Sequence, residues 1–297
     1  MPSEGYLWRF TLPDRCQVIT VGCTVNRDRL GTWSSAVLAQ EPGALLRHES
    51  TAGGYAAPDT CAVRAGDLLT YRGGRLVMAF ADVCLEAQIS EGVAWPRTAL
   101  PPNGVAAWLP FLPTYWHPFL LQGRVSGQLT VAGETSVLTG SQVYAEKAWG
   151  RGYPARSWWG QAHGFARTDL CVAYVATPLP GAGPAVLASC VARLGERGGW
   201  HLPALANYAT RHEHAHGWTM TLRGPRLRMR LEGHAEEPAL PLPLPVPGRR
   251  AVVTAPQALR STLHLHVRRG RHVLLDAETS LAGQESGTIG HTEDVLP

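Results

Sequence analysis

Arg226–Glu232 reads RLRMRLE. Three arginines and a glutamate fall on one parity, two leucines and a methionine on the other. A period of two is the mark of a strand with one wet face and one buried face; a helix would scatter these positions around its axis. Outward from this stretch the pattern repeats. Tyr208–His216 and Trp218–Arg223 precede it. After it, Leu259–Val267 sets Leu, Ser, Leu, Leu and Val against Arg, Thr, His and His, turns at Arg269-Gly270, and returns through Val273–Leu281. Between them, Pro238–Pro247 (PALPLPLPVP) should not sustain a ladder and is expected to be an extended linker or edge crossing.

The N-terminal half reads the same way. Tyr6–Leu12, Gln17–Asn26, Thr32–Gln40, Val83–Ile89 and Gln142–Trp149 have strand character, and Gly73-Gly74 and Ala132-Gly133 mark hairpins. Leu170–Ala176 and Ala185–Leu194 continue the series, whereas Ala94–Pro118, rich in Pro and Trp, suggests an irregular packed crossing. No amphipathic helix of ordinary length is evident. The fold class is therefore all-β, with 297 residues enough for two barrels or sandwiches. The expected division is 1–165 and 166–297.

Composition narrows the function. An apolar content of 45% and a charged content of 17% describe a globular chain, and a net charge of +4 with scattered arginines makes nucleic acid an unexpected partner. No signal peptide or membrane span is read, so a cytoplasmic location is expected. The six separated cysteines are expected to be buried small hydrophobes. His212-Glu213-His214-Ala215-His216 matches H-E-x-x-H, but that motif binds zinc on a helix and these flanks are strand-like. No metal is expected.

The chemistry concentrates in Tyr144–Phe165, YAEKAWGRGYPARSWWGQAHGF. It holds three of ten tryptophans (Trp149, Trp158, Trp159) and Lys147, the only lysine. On a strand, Tyr144 and Glu146 share a face and Lys147 points the other way. Gln161 and His163 lie on the face of Trp159. Glu146 has two readings, an acid in an apolar wall or half of a buried ion pair with Arg151 or Arg156. Asp276 and Glu278 form a second carboxylate pair.

This stretch resembles the E-K-N-W-G…F-P…W-x-W-x-Q segment of tocopherol cyclases. Glu4-Gly5-Tyr6 with WRFTLPDRCQ, then Tyr115-Trp116-His117, and Asp276–Glu285 (DAETSLAGQE) resemble other parts of that family, so nearly the whole chain is covered. The resemblance implies two lipocalin-like β domains side by side and acid-catalysed cyclisation of a prenylated phenol or quinol without a cofactor. Catalytic roles would fall to Glu146, Tyr144 and Lys147, with Glu278 of the second carboxylate pair as the runner-up acid. Trp116, Trp149, Trp158, Trp159, Gln161 and His163 would contact substrate. Hydration of an isoprenoid or carotenoid double bond and simple binding of an apolar ligand are the alternatives, and contact with a membrane surface is compatible with each. Two departures stand out: the family Asn of E-K-N-W-G is Ala148, and the Asn after W-x-Q-x is His163.

Overall fold

The computed structural model describes residues 3–288, 294 and 295, apart from 58–59, 91, 96–99, 109–111, 113, 155, 180, 197, 216, 236–238 and 247. It is all-β. The first half contains β1 (Ser3–Leu12), β2 (Gln17–Asp28), β3 (Gly31–Glu41), β4 (Leu45–Ala52), β5 (Tyr55–Ala56), β6 (Val63–Ala65), β7 (Leu69–Arg72), β8 (Arg75–Phe80), β9 (Val83–Ile89), β10 (Thr114–Val131), β11 (Glu134–Val137) and β12 (Gln142–Gly150). These form one curled sheet in the order 4-3-2-1-12-10-9-8-7-6-5, with β11 on the side of β10.

The second half contains β13 (Arg156–Ala162), β14 (Leu170–Pro178), β15 (Ala185–Leu194), β16 (Gly198–Leu202), β17 (Tyr208–His214), β18 (Gly217–Arg223), β19 (Arg228–His234), β20 (Leu240–Pro245), β21 (Ala251–Arg269) and β22 (His272–Thr288). Its strands run 14-13-22-21-19-18-17-15, and pairing of β14 with β15 closes the ring. Closure removes exposed sheet edges. The chain passes between sheets within 150–156, so β13 pairs in the second sheet although it precedes residue 165.

Alternation places the cores. Val83, Leu85, Ala87 and Ile89 of β9 are buried while Cys84, Glu86 and Gln88 are exposed. In β19, Met229 and Leu231 are fully buried beneath exposed Arg228 and Arg230. The first core gathers Trp8, Phe10, Leu38, Leu76, Met78 and Leu85. The second gathers Trp158, Tyr174, Met220, Leu231 and Leu265. Both expected hairpins close on two residues with positive φ, Gly73 (59°) with Gly74 (82°) and Ala132 (50°) with Gly133 (85°). That backbone suits the right-handed strand twist.

Three expectations need correction. The proline-rich segment does pair: Leu240–Pro245 is antiparallel to β21. Alternate N–H groups point to opposite edges of a strand, and Pro241, Pro243 and Pro245 all occupy the edge away from β21. The intervening leucines keep their donors on the ladder side, and Val246 N–H, of the same parity, donates to Ala251 O at 2.9 Å. The β21–β22 turn lies at Gly270-Arg271, because Arg269 pairs with His272. Cys16 and Cys84 are exposed, while Cys23, Cys171 and Cys190 are buried and Cys61 is half-buried.

Candidate active site

Side chains of odd parity on β12, such as Val143, Ala145 and Lys147, turn into the first unit. Those of even parity, Tyr144 and Glu146, turn outward onto β13 and β14 of the second. There they meet Trp116, Leu121, Trp159, Cys171 and Ala173 in an apolar cluster between the units. The motif thus supplies both sides of an interface.

Glu146 is the polar centre of that cluster. Its Oε2 accepts hydrogen bonds from Tyr144 OH (2.5 Å), Trp116 Nε1 (2.6 Å) and Trp159 Nε1 (2.8 Å). It makes no ion pair among the described residues: Arg151 is exposed and Arg156 lies 3.5 Å from Glu213. Burial pushes the Glu146 carboxyl above its ordinary range, while the three donors pull it back. Burial and the adjacent Glu146 raise Tyr144 well above a normal phenol, so it donates and does not ionise.

Two residues not singled out from the sequence belong here. Glu285 of β22 stands directly opposite Trp159 in the β13–β22 ladder, so both side chains leave the sheet on one face. Burial and then the charge of Glu146 push Glu285 up to about 7. Tyr153 packs its hydroxyl 2.9 Å from the position a Cβ on Gly5 would take. It also lines, with Ala148, a hole of about 10 Å³. Burial raises the Tyr153 phenol, and the charges of Glu285 and Glu146 raise it further. Ala148 offers no polar group to this corner, and the Tyr153 hydroxyl is the polar group that reaches it.

Gln161 and His163 are fully buried on the same side but face a different partner. Arg9 of β1, 1% exposed, donates to Gln161 Oε1 (2.7 Å), Leu259 O (2.8 Å) and Leu281 O (2.7 Å), tying β1 to three strands or strand ends of the second unit. Burial lowers Arg9 to about 9, which leaves it charged at neutral pH. His163 Nε2 lies 2.9 Å from Leu121 O, and burial, with the Arg9 cation, holds His163 near 3. A neutral ring there donates from Nε2.

The remaining expected site residues lie elsewhere. Lys147 is on the opposite face, as its parity requires. It pairs with Glu4 (2.7 Å) and sits over the rings of Tyr6 (5.4 Å) and Trp149 (5.6 Å). Trp149 is 37% exposed and stacks on Tyr115. Trp158 lies inside the second barrel, donates to Glu213 (3.1 Å), and is flanked by the guanidiniums of Arg156 and Arg211. Glu278 is exposed opposite His264 on the outer face; Asp276, also exposed, bonds His264. His212 and His214 are exposed, and His216 lies outside the described residues. Among the described residues no three His, Cys, Asp or Glu side chains are grouped to hold a metal, and no helix is long and apolar enough to cross a membrane.

A large cavity, about 1330 Å³, opens in the first unit and is lined by Tyr55, Cys61, Tyr71, Phe119 and Leu120 among others. It lies on the Lys147 side of β12: Lys147 Nζ reaches Ala57 O at 3.5 Å, and Ala57 is part of the lining.

Residues 2–288 match the family described as tocopherol cyclase-like. The chain belongs to that family. No curated protein matches the sequence. Two solved structures share the fold. Kievitone hydratase from Nectria haematococca is 14% identical, with 96% of this chain and 89% of that one covered and a TM-score of 0.55. An AttH-type protein from Nitrosomonas europaea is 12% identical, with 97% and 92% covered and a TM-score of 0.55. At these identities the likeness concerns architecture alone, and it agrees with two lipocalin-like β units in this member of the tocopherol cyclase-like family.

Proposed function

We propose that this protein catalyses acid-driven addition to an isoprenoid double bond, with cyclisation of a prenylated phenol or quinol as the leading reaction. A carboxyl group protonates the alkene, a tertiary cation forms, and the phenol oxygen captures it. The observation that carries this reading is Glu146, a buried carboxyl group walled by Trp116, Trp159 and Tyr144 and unpaired with any cation among the described residues. Burial favours a protonated carboxyl group at this interface, indole faces stabilise a passing carbocation, and a dry wall keeps water from quenching it. No chemical step needs a cofactor. Letting water take the cation turns the same centre into a hydratase, and an apolar substrate fits contact with a membrane surface. The test is turnover of a prenylated hydroquinone by wild type and by Glu146→Gln. Activity should be present in the first and fall by about 10²–10⁴-fold in the second. An inactive wild type with every prenylated phenol and polyene offered would overturn the proposal.

A second reading has its own support. The 1330 Å³ cavity lies across β12 from Glu146, and a ligand there would be held without reaching the acid. Binding without turnover is the corresponding function. Native mass spectrometry of the purified protein would show a retained lipid, and mutation of Phe119 in the cavity would release it.

A further inference from the structure

Glu285 is the other carboxylate of the interface. Its position on β22 opposite Trp159 directs it to the side where the Trp159 indole donates to Glu146. On its second flank, Gln257 of β21 pairs with it across the ladder. Gln257 is 3% exposed, and its Oε1 is buried with no donor among the described residues. The two carboxyl groups are provided for unequally. Glu146 has three N–H and O–H donors on one oxygen, an arrangement that stabilises an anion. Glu285 has beside it an acceptor that lacks a proton.

Other groups near Glu285 do not reverse this asymmetry. Tyr153 faces it from the β12–β13 connection as a neutral phenol. Arg9 Nε comes to 2.7 Å of the position a Cβ on Gly283 would occupy, two residues along β22, but its fork is directed to Gln161 and the carbonyls of Leu259 and Leu281.

We infer that Glu146 and Glu285 form an acid pair that holds one proton at neutral pH, and that Glu285 carries it while Glu146 stays ionised. Glu146 is buried and Glu285 half-buried, and two neighbouring carboxyl groups withdrawn from water do not both ionise readily, so the first to do so retains the proton on the second. The catalytic consequence rests on the cyclase or hydratase reading above. Transfer breaks the Glu285 O–H bond, forms a C–H bond on the alkene and leaves two carboxylates beside the cation, which is itself stabilised by them. Capture by the phenol oxygen releases its proton, which returns to Glu285. The sum is an isomerisation with no co-reactant.

The pair can be tested without substrate. Infrared spectra of the full chain, recorded across pH, report the carbonyl stretch of any protonated carboxylic acid, and at neutral pH ordinary surface carboxylates contribute none. The expected result is a band in the wild type that disappears as pH rises through about 7, is absent in Glu285→Gln and persists in Glu146→Gln with its midpoint moved to lower pH. Glu285→Asp, checked by circular dichroism, should restore a band. A wild-type band lost in Glu146→Gln and unchanged in Glu285→Gln would overturn the inference, as would absence of any band at pH 6. Turnover is read separately: Glu285→Gln should lose about 10²–10⁴-fold on a prenylated hydroquinone. A pair that titrates as stated in a protein that turns over nothing would refute the proposed reaction and leave the acid pair standing.

Discussion

Glu146 makes its bonds to neutral donors, and that decides what its replacement should do. Glutamine at this position keeps an acceptor for Tyr144, Trp116 and Trp159 and strands no cation, so stability should hold or rise while turnover falls. A buried ion pair would have behaved oppositely, losing roughly 3–5 kcal/mol on removal of one partner. Thermal melts of Glu146→Gln beside its kinetics separate the two cases, and an early melt would return Glu146 to a structural role. His163 yields a prediction in pH. Its folded value near 3 lies below the ordinary 6.5, so as pH falls the unfolded chain takes up the proton first. The contribution is fully present above about 6.5 and is lost at about 1.4 kcal/mol per pH unit down to about 3. His163→Asn should flatten that part of the acid-denaturation profile, although His201, held near 4 by burial, will keep some slope. The motif exposed Glu146, Tyr144 and Trp159 in the sequence because they lie within sixteen residues and two strands. Arg9 and Glu285 lie in stretches that resemble the family, but nothing local marks their roles: an arginine in WRF and a glutamate in GQE acquire their meaning from partners more than a hundred residues away.

At the scale of elements, β20 tests whether parity alone reconciles proline with a ladder. Leu244→Pro removes a donor from the edge facing β21 and leaves an acceptor there unpaired, which should cost about 1–3 kcal/mol. Pro243→Ala changes the outer edge only and should stay within about 0.5 kcal/mol. Equal losses from the two changes in chemical denaturation would refute the parity argument. Strands with one wet and one dry face, such as β9 and β19, were legible because each residue's parity announced its side. β4 was not, since LLRHESTA is half-buried at most positions at the end of its sheet and shows no clean period. β20 is not legible in the sequence because the effect of a proline on a ladder depends on the edge it occupies, and a run of alternating prolines does not say which edge that is.

For the molecule as a whole, the question is what makes two β units fold as one. Their contact has two apolar parts. One is the Trp116–Tyr144–Trp159 cluster, and the other joins Val18 and Ala39 of the first unit to Leu242, Leu259 and Leu281 of the second. Between the motif and that second cluster lies Arg9, whose guanidinium meets Gln161, Leu259 O and Leu281 O from an apolar strand of the first core. Methionine in its place would fill similar volume and remove the desolvation of the cation, but it would leave two carbonyls and an amide oxygen buried without donors. At about 1–3 kcal/mol for each stranded acceptor, the net loss from Arg9→Met should be about 3 kcal/mol. The loss should fall on the coupling between the units more than on either core. Calorimetry of the wild type should show one cooperative transition, and that of Arg9→Met two, the lower belonging to the open first sheet, which lacks the ring closure of β14 on β15. A single transition shifted as a block would mean that the apolar contacts hold the units together without the arginine.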